Sequence, residues 1–354
     1  MLRVGIVGIG FMGWIHYLAY LRTAGVKLKA ICTRDPKKLA GDWTSIQGNF
    51  GPRGEVVDLT GVSCYADVDA LLADPEIDLV DVCLPPHLHK DVAIRALQAG
   101  KHVLCEKPMA LTAEDCDAML VAAERAGKQI LVAHVLPFFP EYTYLRQIIA
   151  EGRYGNLLGG NFKRVISDPL WLPDFYDLSR VGGPLVDLHV HDAHLIRMLF
   201  GMPTSLYSRG RFRGDVVSYC ETLFQFADPQ VVVRATSGVI DQQGRPFTHG
   251  FEVHLERATL QFEFAGFTDQ GELMPLKMLV SNESEGGHAA QQVVRPDLGA
   301  GDPIRGFEFE LAEVIDSISQ GKPSPILSGS LARDAIVICH QQTASAKSGQ
   351  IVRL

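Results

Sequence analysis

Leu2-Arg3-Val4-Gly5-Ile6-Val7-Gly8-Ile9-Gly10-Phe11-Met12-Gly13, at the start of the chain, runs a short apolar stretch into three glycines spaced G-x-G-x-x-G. The stretch Leu2 to Val7 reads as a buried strand and Phe11 to Ala24 as a helix, so the glycines fall in the turn between them. There the first glycine permits the tight turn and the second leaves room for a pyrophosphate against the backbone. The third lets helix and sheet pack closely, with the helix N-terminus facing the negative charge. Such spacing arises easily in a chain with 34 glycines. The strand–turn–helix setting is what predicts a dinucleotide site at Gly8, Gly10 and Gly13, with Phe11 and Met12 inside the motif.

Working outward, strand-like runs at Val26–Cys32, Leu79–Leu84, His102–Cys105 and Gln129–His134 alternate with helical periodicity at His87–Ala99 and Thr112–Ala126. Thr112 followed by Asp115 is close to a capping box. This alternation predicts an α/β domain over residues 1–134, with a parallel, doubly wound sheet and right-handed crossovers. Gly41 to Gly61 breaks the rhythm as an inserted loop of about twenty residues, a length usually reserved for function. It is expected near the adenosine end of a bound cofactor, as a cover. From residue 135 the pattern changes. Helices are expected at Pro140–Glu151 and Pro184–Phe200, the latter with proline in its first turn and Gly201 past its end. The strands Leu157–Ile166, Val216–Phe226, Gln230–Ser237 and Ala258–Phe264 include a run with no helices between. Residues 135–354 therefore read as an α+β domain with a mostly antiparallel sheet, closed by helices at Phe307–Ser319 and Ser330–Lys347.

Composition sets broad limits. With 354 residues the chain is long enough for two domains, and 33 basic against 41 acidic residues leave a net charge of −8. That excludes a general attraction to nucleic acid or anionic membrane. The seven cysteines, Cys32, Cys64, Cys83, Cys105, Cys116, Cys220 and Cys339, show no C-x-x-C spacing. They fit neither a disulfide framework nor a structural zinc site, and suit a reducing compartment. No leader-like apolar region or membrane-length run is visible, and the expected location is cytoplasmic.

The residue that meets the adenosine ribose should lie about 20 positions beyond the glycine turn, where an acidic side chain would favour NAD. Thr33 stands there, in Thr33-Arg34-Asp35-Pro36-Lys37-Lys38. Arg34 and Lys38, with Lys37 between, could hold a 2′-phosphate. Asp35 pulls the other way unless it caps the helix that follows. The reading places NADP ahead of NAD and keeps both.

Further motifs carry chemistry. They are Leu84-Pro85-Pro86-x-x-His89, Ala99-Gly100-Lys101-His102-Val103, Cys105-Glu106-Lys107-Pro108, Gly182-Gly183-Pro184-Leu185-Val186-Asp187-x-x-x-His191, and a tail from Gly321-Lys322-Pro323 to Ser348-Gly349. Together they resemble the Gfo/Idh/MocA oxidoreductase family over essentially the whole chain. Taken alone, the residues already suit hydride transfer at an alcohol carbon, which needs a proton acceptor and a positive charge beside the developing alkoxide. His191 suits the first task. Lys107, at the C-terminal end of a strand, suits the second. On a regular helix Asp187, His191 and His194 share one face, and His189 points elsewhere. Asp187 could then orient the imidazole or bind a substrate hydroxyl.

The resemblance implies a Rossmann domain, Lys107 and His191 as catalytic residues with Asp187 beside them, and Leu84, Pro85, His89 and Glu106 lining the cofactor. It also implies a small sugar, cyclitol or polyol substrate and a homodimer or homotetramer. Substrate contacts are expected from Lys107, Asp187 and His191, and from Arg164 and Trp171, which precede Gly182 together with Lys163 and Asp174. Three features depart from the family pattern: His134 to Pro140 lacks its arginine, His194 replaces an aspartate, and the 41–61 loop is added. Two other readings stay open. A metal-dependent hydrolase would use Asp187, His191 and His194, although a first shell needs convergent ligands and no metal is expected. A sensor would bind the dinucleotide without turnover.

Overall fold

Leu2–Val7 forms β1, and Phe11–Tyr20 forms α1. There follow β2 (Val26–Cys32), α2 (Pro36–Leu39), β3 (Ser63–Tyr65), α3 (Val68–Leu72), β4 (Leu79–Val82), α4 (His89–Gln98), β5 (His102–Glu106), α5 (Ala113–Ala126) and β6 (Ile130–Ala133). The computed structural model describes residues 1–282, 290–299 and 301–354. All six strands pair in parallel, in the order β3-β2-β1-β4-β5-β6. Val4, Ile6, Leu79, Val80, Val82, Val103, Leu104 and Val132 are all buried, as strands covered on both faces must be. Two carboxylates break this apolar rule: Asp81, within β4, is fully buried, and Glu106, at the end of β5, is buried too. The order reverses between β1 and β4, the switch point at which doubly wound sheets bind ligands.

The second unit is built on a nine-stranded sheet. Its elements are α6 (Pro140–Glu151), β7 (Leu157–Ser167), α7 (Val190–Phe200), β8 (Ser205–Arg213), β9 (Val216–Gln225), β10 (Val232–Ile240), β11 (Phe247–Leu255), β12 (Ala258–Gly266), β13 (Gly271–Asn282) and β14 (Ala290–Val294). The chain ends in α8 (Arg305–Gln320), α9 (Gly329–Ser348) and β15 (Val352–Arg353). The strand order is β14-β13-β12-β11-β7-β10-β9-β8-β15, with β7 and β10 the parallel pair in an otherwise antiparallel sheet. Phe162, Val233, Phe251 and Phe262 of the sheet and Leu195 and Ile196 of α7 are buried.

The two units are not the two halves of the sequence. One comprises Met1–Phe139 with Gly301–Arg333, the other Pro140–Ala300 with Asp334–Leu354. The single crossing expected near residue 134 is thereby corrected, because α8 returns to the first unit and packs on α1. Helical periodicity in Phe307–Ser319 shows a buried stripe, here Phe307, Leu311 and Val314, but not which layer the stripe will cover. No helix among the described residues is long and apolar enough to cross a membrane.

Candidate active site

The glycine turn behaves as its spacing requires. Gly8 has φ +100°, and a Cβ there would lie 2.5 Å from the Cys83 carbonyl oxygen. A Cβ on Gly13 would meet the Gly8 carbonyl oxygen at 2.1 Å, whereas nothing lies within 4 Å of one built on Gly10. The outer glycines are thus needed by the fold itself, and the middle one opens onto free space for a pyrophosphate. Gly10 is the N-cap of α1, makes no side-chain cap, and is followed by no acidic residue in the first turn. The first-turn N–H groups therefore remain for an anion.

At the end of β2, Thr33 Oγ1 accepts from the Asp35 N–H at 3.3 Å, and Asp35 accepts from the Lys37 N–H at 2.9 Å as the N-cap of α2. Arg34 is exposed. Lys38 turns back, its Nζ donating to the Ile9 carbonyl at 2.7 Å inside the glycine turn. The 41–61 segment is anchored close by. Trp43 is fully buried and donates through Nε1 to Lys38 O at 2.8 Å, and Trp14 Nε1 donates to Pro52 O at 2.9 Å. Phe50 meets Phe11 edge-on at 4.8 Å and stacks on Phe307 at 5.7 Å.

Because β1 neighbours β4 and β4 neighbours β5, the glycine turn, Leu84-Pro85 and Glu106-Lys107 sit at adjacent C-terminal strand ends. Leu84 and Lys107 are half-buried and Pro85 is exposed. His89, expected to line the cofactor, is fully buried instead. Its Nδ1 lies 2.8 Å from Pro108 O and its Nε2 2.7 Å from Leu84 O, so it ties the two turns together from behind. Burial lowers its pKa against the two carbonyls, which favour the charged ring. Glu106 is also buried; its Oε2 accepts the Lys107 N–H at 2.9 Å, and its Oε1 lies 3.1 Å from Nε2 of a fully buried His16. Sequence reasoning missed His16 and Asp81. The signal was there as a lone carboxylate in the apolar run Leu79-Val80-Asp81-Val82.

In the second unit, Gly182 and Gly183 take φ of +84° and +74° and lead into a π-helical turn, Leu185–His189, before α7. The expected face of a regular helix is therefore corrected. Asp187 and His191 are half-buried, but His194, placed with them by 3.6-residue periodicity, is fully buried, as is His189. Among the described residues, Asp187, His191 and His194 do not form a group close enough to hold a metal, while His16, Asp81 and Cys83 do. Arg164 is corrected as a substrate contact: it is buried, with Nε and Nη2 at 2.6 and 3.1 Å from the carboxylate of buried Asp192. Trp171 is 71% exposed. Lys163 pairs with Glu263 at 3.0 Å and Asp174 with Arg180 at 3.0 Å. His189 Nε2 lies 2.9 Å from the Gln342 side-chain amide, and burial pushes its pKa down to about 4.

Comparison with known proteins adds to this geometry. The model of an oxidoreductase family with an NAD-binding Rossmann fold, GFO/IDH/MocA, matches residues 2–134, and the model of the GFO/IDH/MocA C-terminal domain matches residues 142–261. An uncharacterized oxidoreductase of Rhizobium meliloti, ORF334, is 35% identical over 203 residues, which is 56% of this chain and 56% of that protein. The 1,5-anhydro-D-fructose reductase of Ensifer adhaerens is 34% identical over 204 residues, 54% of this chain and 59% of that one. The matches thus span little more than half the length of these curated relatives. A levoglucosan dehydrogenase solved in complex with NADH superposes over 99% of this chain and 98% of its own with a TM-score of 0.81 at 24% identity, a likeness of fold.

Proposed function

The chain belongs to the GFO/IDH/MocA oxidoreductase family, and from that premise we propose that it is a nicotinamide-dependent dehydrogenase or reductase. Its substrate would be a secondary alcohol, or the matching ketone, of a sugar, cyclitol or related polyol. The observation that carries the proposal is the row of strand ends in the first unit, where the open face of Gly10 stands in line with Leu84 and Lys107. Bound on that turn, a nicotinamide dinucleotide supplies a carbon that takes up or gives up hydride. The remaining work falls to side chains. Lys107 holds the substrate oxygen and steadies the negative charge that develops on it. His191 exchanges the hydroxyl proton, and Asp187, four residues before it, orients the imidazole or a substrate hydroxyl. Exposed Trp171 offers a sugar-stacking face.

The same reading favours NADP over NAD. Thr33 carries no charge, the Asp35 carboxylate is engaged in capping α2, and exposed Arg34, with Lys38 held at the glycine turn, supplies the positive charge that a 2′-phosphate needs. Fluorescence titration with NADH and NADPH, followed by a panel of sugars, cyclitols and polyols, tests both parts. Saturable binding with tighter NADPH, and turnover of at least one polyol or sugar, is the expected result. Lys107→Ala and His191→Ala should each lower kcat about 100-fold or more while cofactor affinity stays within a few-fold. Binding without turnover anywhere in the panel would favour a sensor, and no binding would overturn the reading. An assembly of two or four copies belongs to the same proposal and is read by light scattering.

A further inference from the structure

We propose that His16 is a positioning residue for Lys107: beneath the glycine turn it bridges Asp81 and Glu106, and so fixes the carboxylate that receives the Lys107 N–H. This rests on the role given to Lys107 above. The chain of contacts is continuous. His16 Nδ1 lies 2.8 Å from Asp81 Oδ2, and its Nε2 makes an ion-pair contact with Glu106 Oε1 at 3.1 Å that lacks hydrogen-bond alignment, while Glu106 Oε2 accepts the Lys107 amide at 2.9 Å. Asp81 is itself held, accepting from Tyr20 Oη–H at 2.9 Å and from the Cys83 thiol at 3.4 Å. Three elements contribute one side chain or more each: α1 brings His16 and Tyr20, β4 brings Asp81, and β5 ends in Glu106.

The surroundings make the bridge hard to relax. Glu310 of α8 is fully buried near His16 and accepts no hydrogen bond at either oxygen, and the Phe307 ring lies 6.0 Å from the imidazole. Burial opposes a charge on His16, but Asp81 and Cys83 together outweigh it and raise the ring well above the ordinary histidine range. Burial likewise raises Glu310 well above the ordinary carboxyl range. A protonated imidazole thus serves Asp81 and Glu106 together, and removing it leaves buried carboxylates without their partner. The contact between His16 and Asp81, at 2.8 Å, has the length of a hydrogen bond rather than the separation of two ligands around an ion.

Two variants test the proposal, His16→Gln and the near-isosteric Asp81→Asn, the second guarding against a first that fails to fold. Both should lower kcat about 10- to 100-fold while leaving the KM for cofactor and substrate within about threefold, as expected when a reacting group is misplaced rather than lost. Hydrogen exchange at the Lys107 amide should accelerate about tenfold, with protection in β1 and β6 unchanged. The exchange arm needs no substrate, so a wild-type protein without turnover would sink the functional reading and still leave this one measurable. Unchanged exchange at Lys107 in both variants would overturn the proposal. So would loss of protection throughout the first unit, which marks a merely structural role, or a stoichiometric metal in the purified protein.

Discussion

Asp35 illustrates how a single side chain decides a cofactor reading. Its carboxylate accepts the Lys37 N–H at 2.9 Å, so capping α2 competes with any contact to a ribose hydroxyl. Placing a new acid two positions closer to the strand, as Thr33→Asp, and removing the exposed cation, as Arg34→Ala, should together shift preference from NADPH toward NADH by about tenfold or more. Paired fluorescence titrations measure it, and an unchanged ratio would return the 2′-phosphate to other residues. Arg164 makes the opposite point. It is sealed against Asp192, so Asp192→Asn or Arg164→Met should cost about 3–5 kcal/mol of stability in urea melts by leaving one buried charge unpaired. The glycine turn was legible because each glycine answers a steric demand from residues a few positions away. Arg164 was not, since its partner lies 28 residues along the chain and nothing local distinguishes a buried arginine from a ligand-binding one.

Among the elements, the 41–61 segment was legible as an insertion but not as an anchored one. Its hold comes from aromatic contacts that span loop, helix and a distant segment: Trp43 against Tyr17 at 4.9 Å and Trp14 at 5.9 Å, and Phe50 against Phe307 at 5.7 Å. Trp43→Ala should therefore cost about 3–5 kcal/mol, the usual toll for deleting a buried aromatic, as read by chemical denaturation. Gly48→Ala should act more locally. A Cβ there would fall 1.9 Å from the Phe11 ring, so loop and ring must part. Limited proteolysis should then cut within 41–61 sooner, while the melting temperature changes little. Equal cleavage in both proteins would show that the loop does not rest on Phe11. The π-helical turn at Leu185–His189 was out of reach for a related reason: hydrophobic periodicity assumes 3.6 residues per turn, and one wide turn is enough to bury His194 and leave Asp187 and His191 half-buried.

At the scale of the molecule the second unit holds two buried histidines lowered by burial, His189 and His249, whereas the first holds one lowered, His89, and one raised, His16. In the second, burial lowers His189 to about 4 and His249 to about 3, with Arg164 adding to the effect on each. Asp192 and the Gln342 side chain face His189, and Tyr142 Oη lies 2.8 Å from His249 Nδ1. Below about pH 6.5 the unfolded chain binds protons at both sites and the folded chain does not, so stability falls with falling pH by about 1.4 kcal/mol per unit for each group. In the first unit His16 is raised, so its contribution is complete below about pH 6.5 and is lost as pH climbs through its folded value. Buried Glu310, also raised, runs in the same direction, because the folded chain keeps a proton that the unfolded chain has released. With two lowered rings in the second unit against one, His89, in the first, acid should weigh more on the second unit and alkali on the first. Hydrogen exchange followed at pH 5 and pH 9, corrected for intrinsic rates, reads each unit separately. The amides of β10 and β11 should lose protection at the lower pH and those of β1 and β4 at the higher. His249→Phe, which places another ring among Phe247, Phe262 and Phe264, should flatten the acid response of the second unit by about half and leave the alkaline response of the first untouched. A common pH dependence in both units, or an acid response unmoved by that substitution, would refute the assignment of acid sensitivity to these two rings.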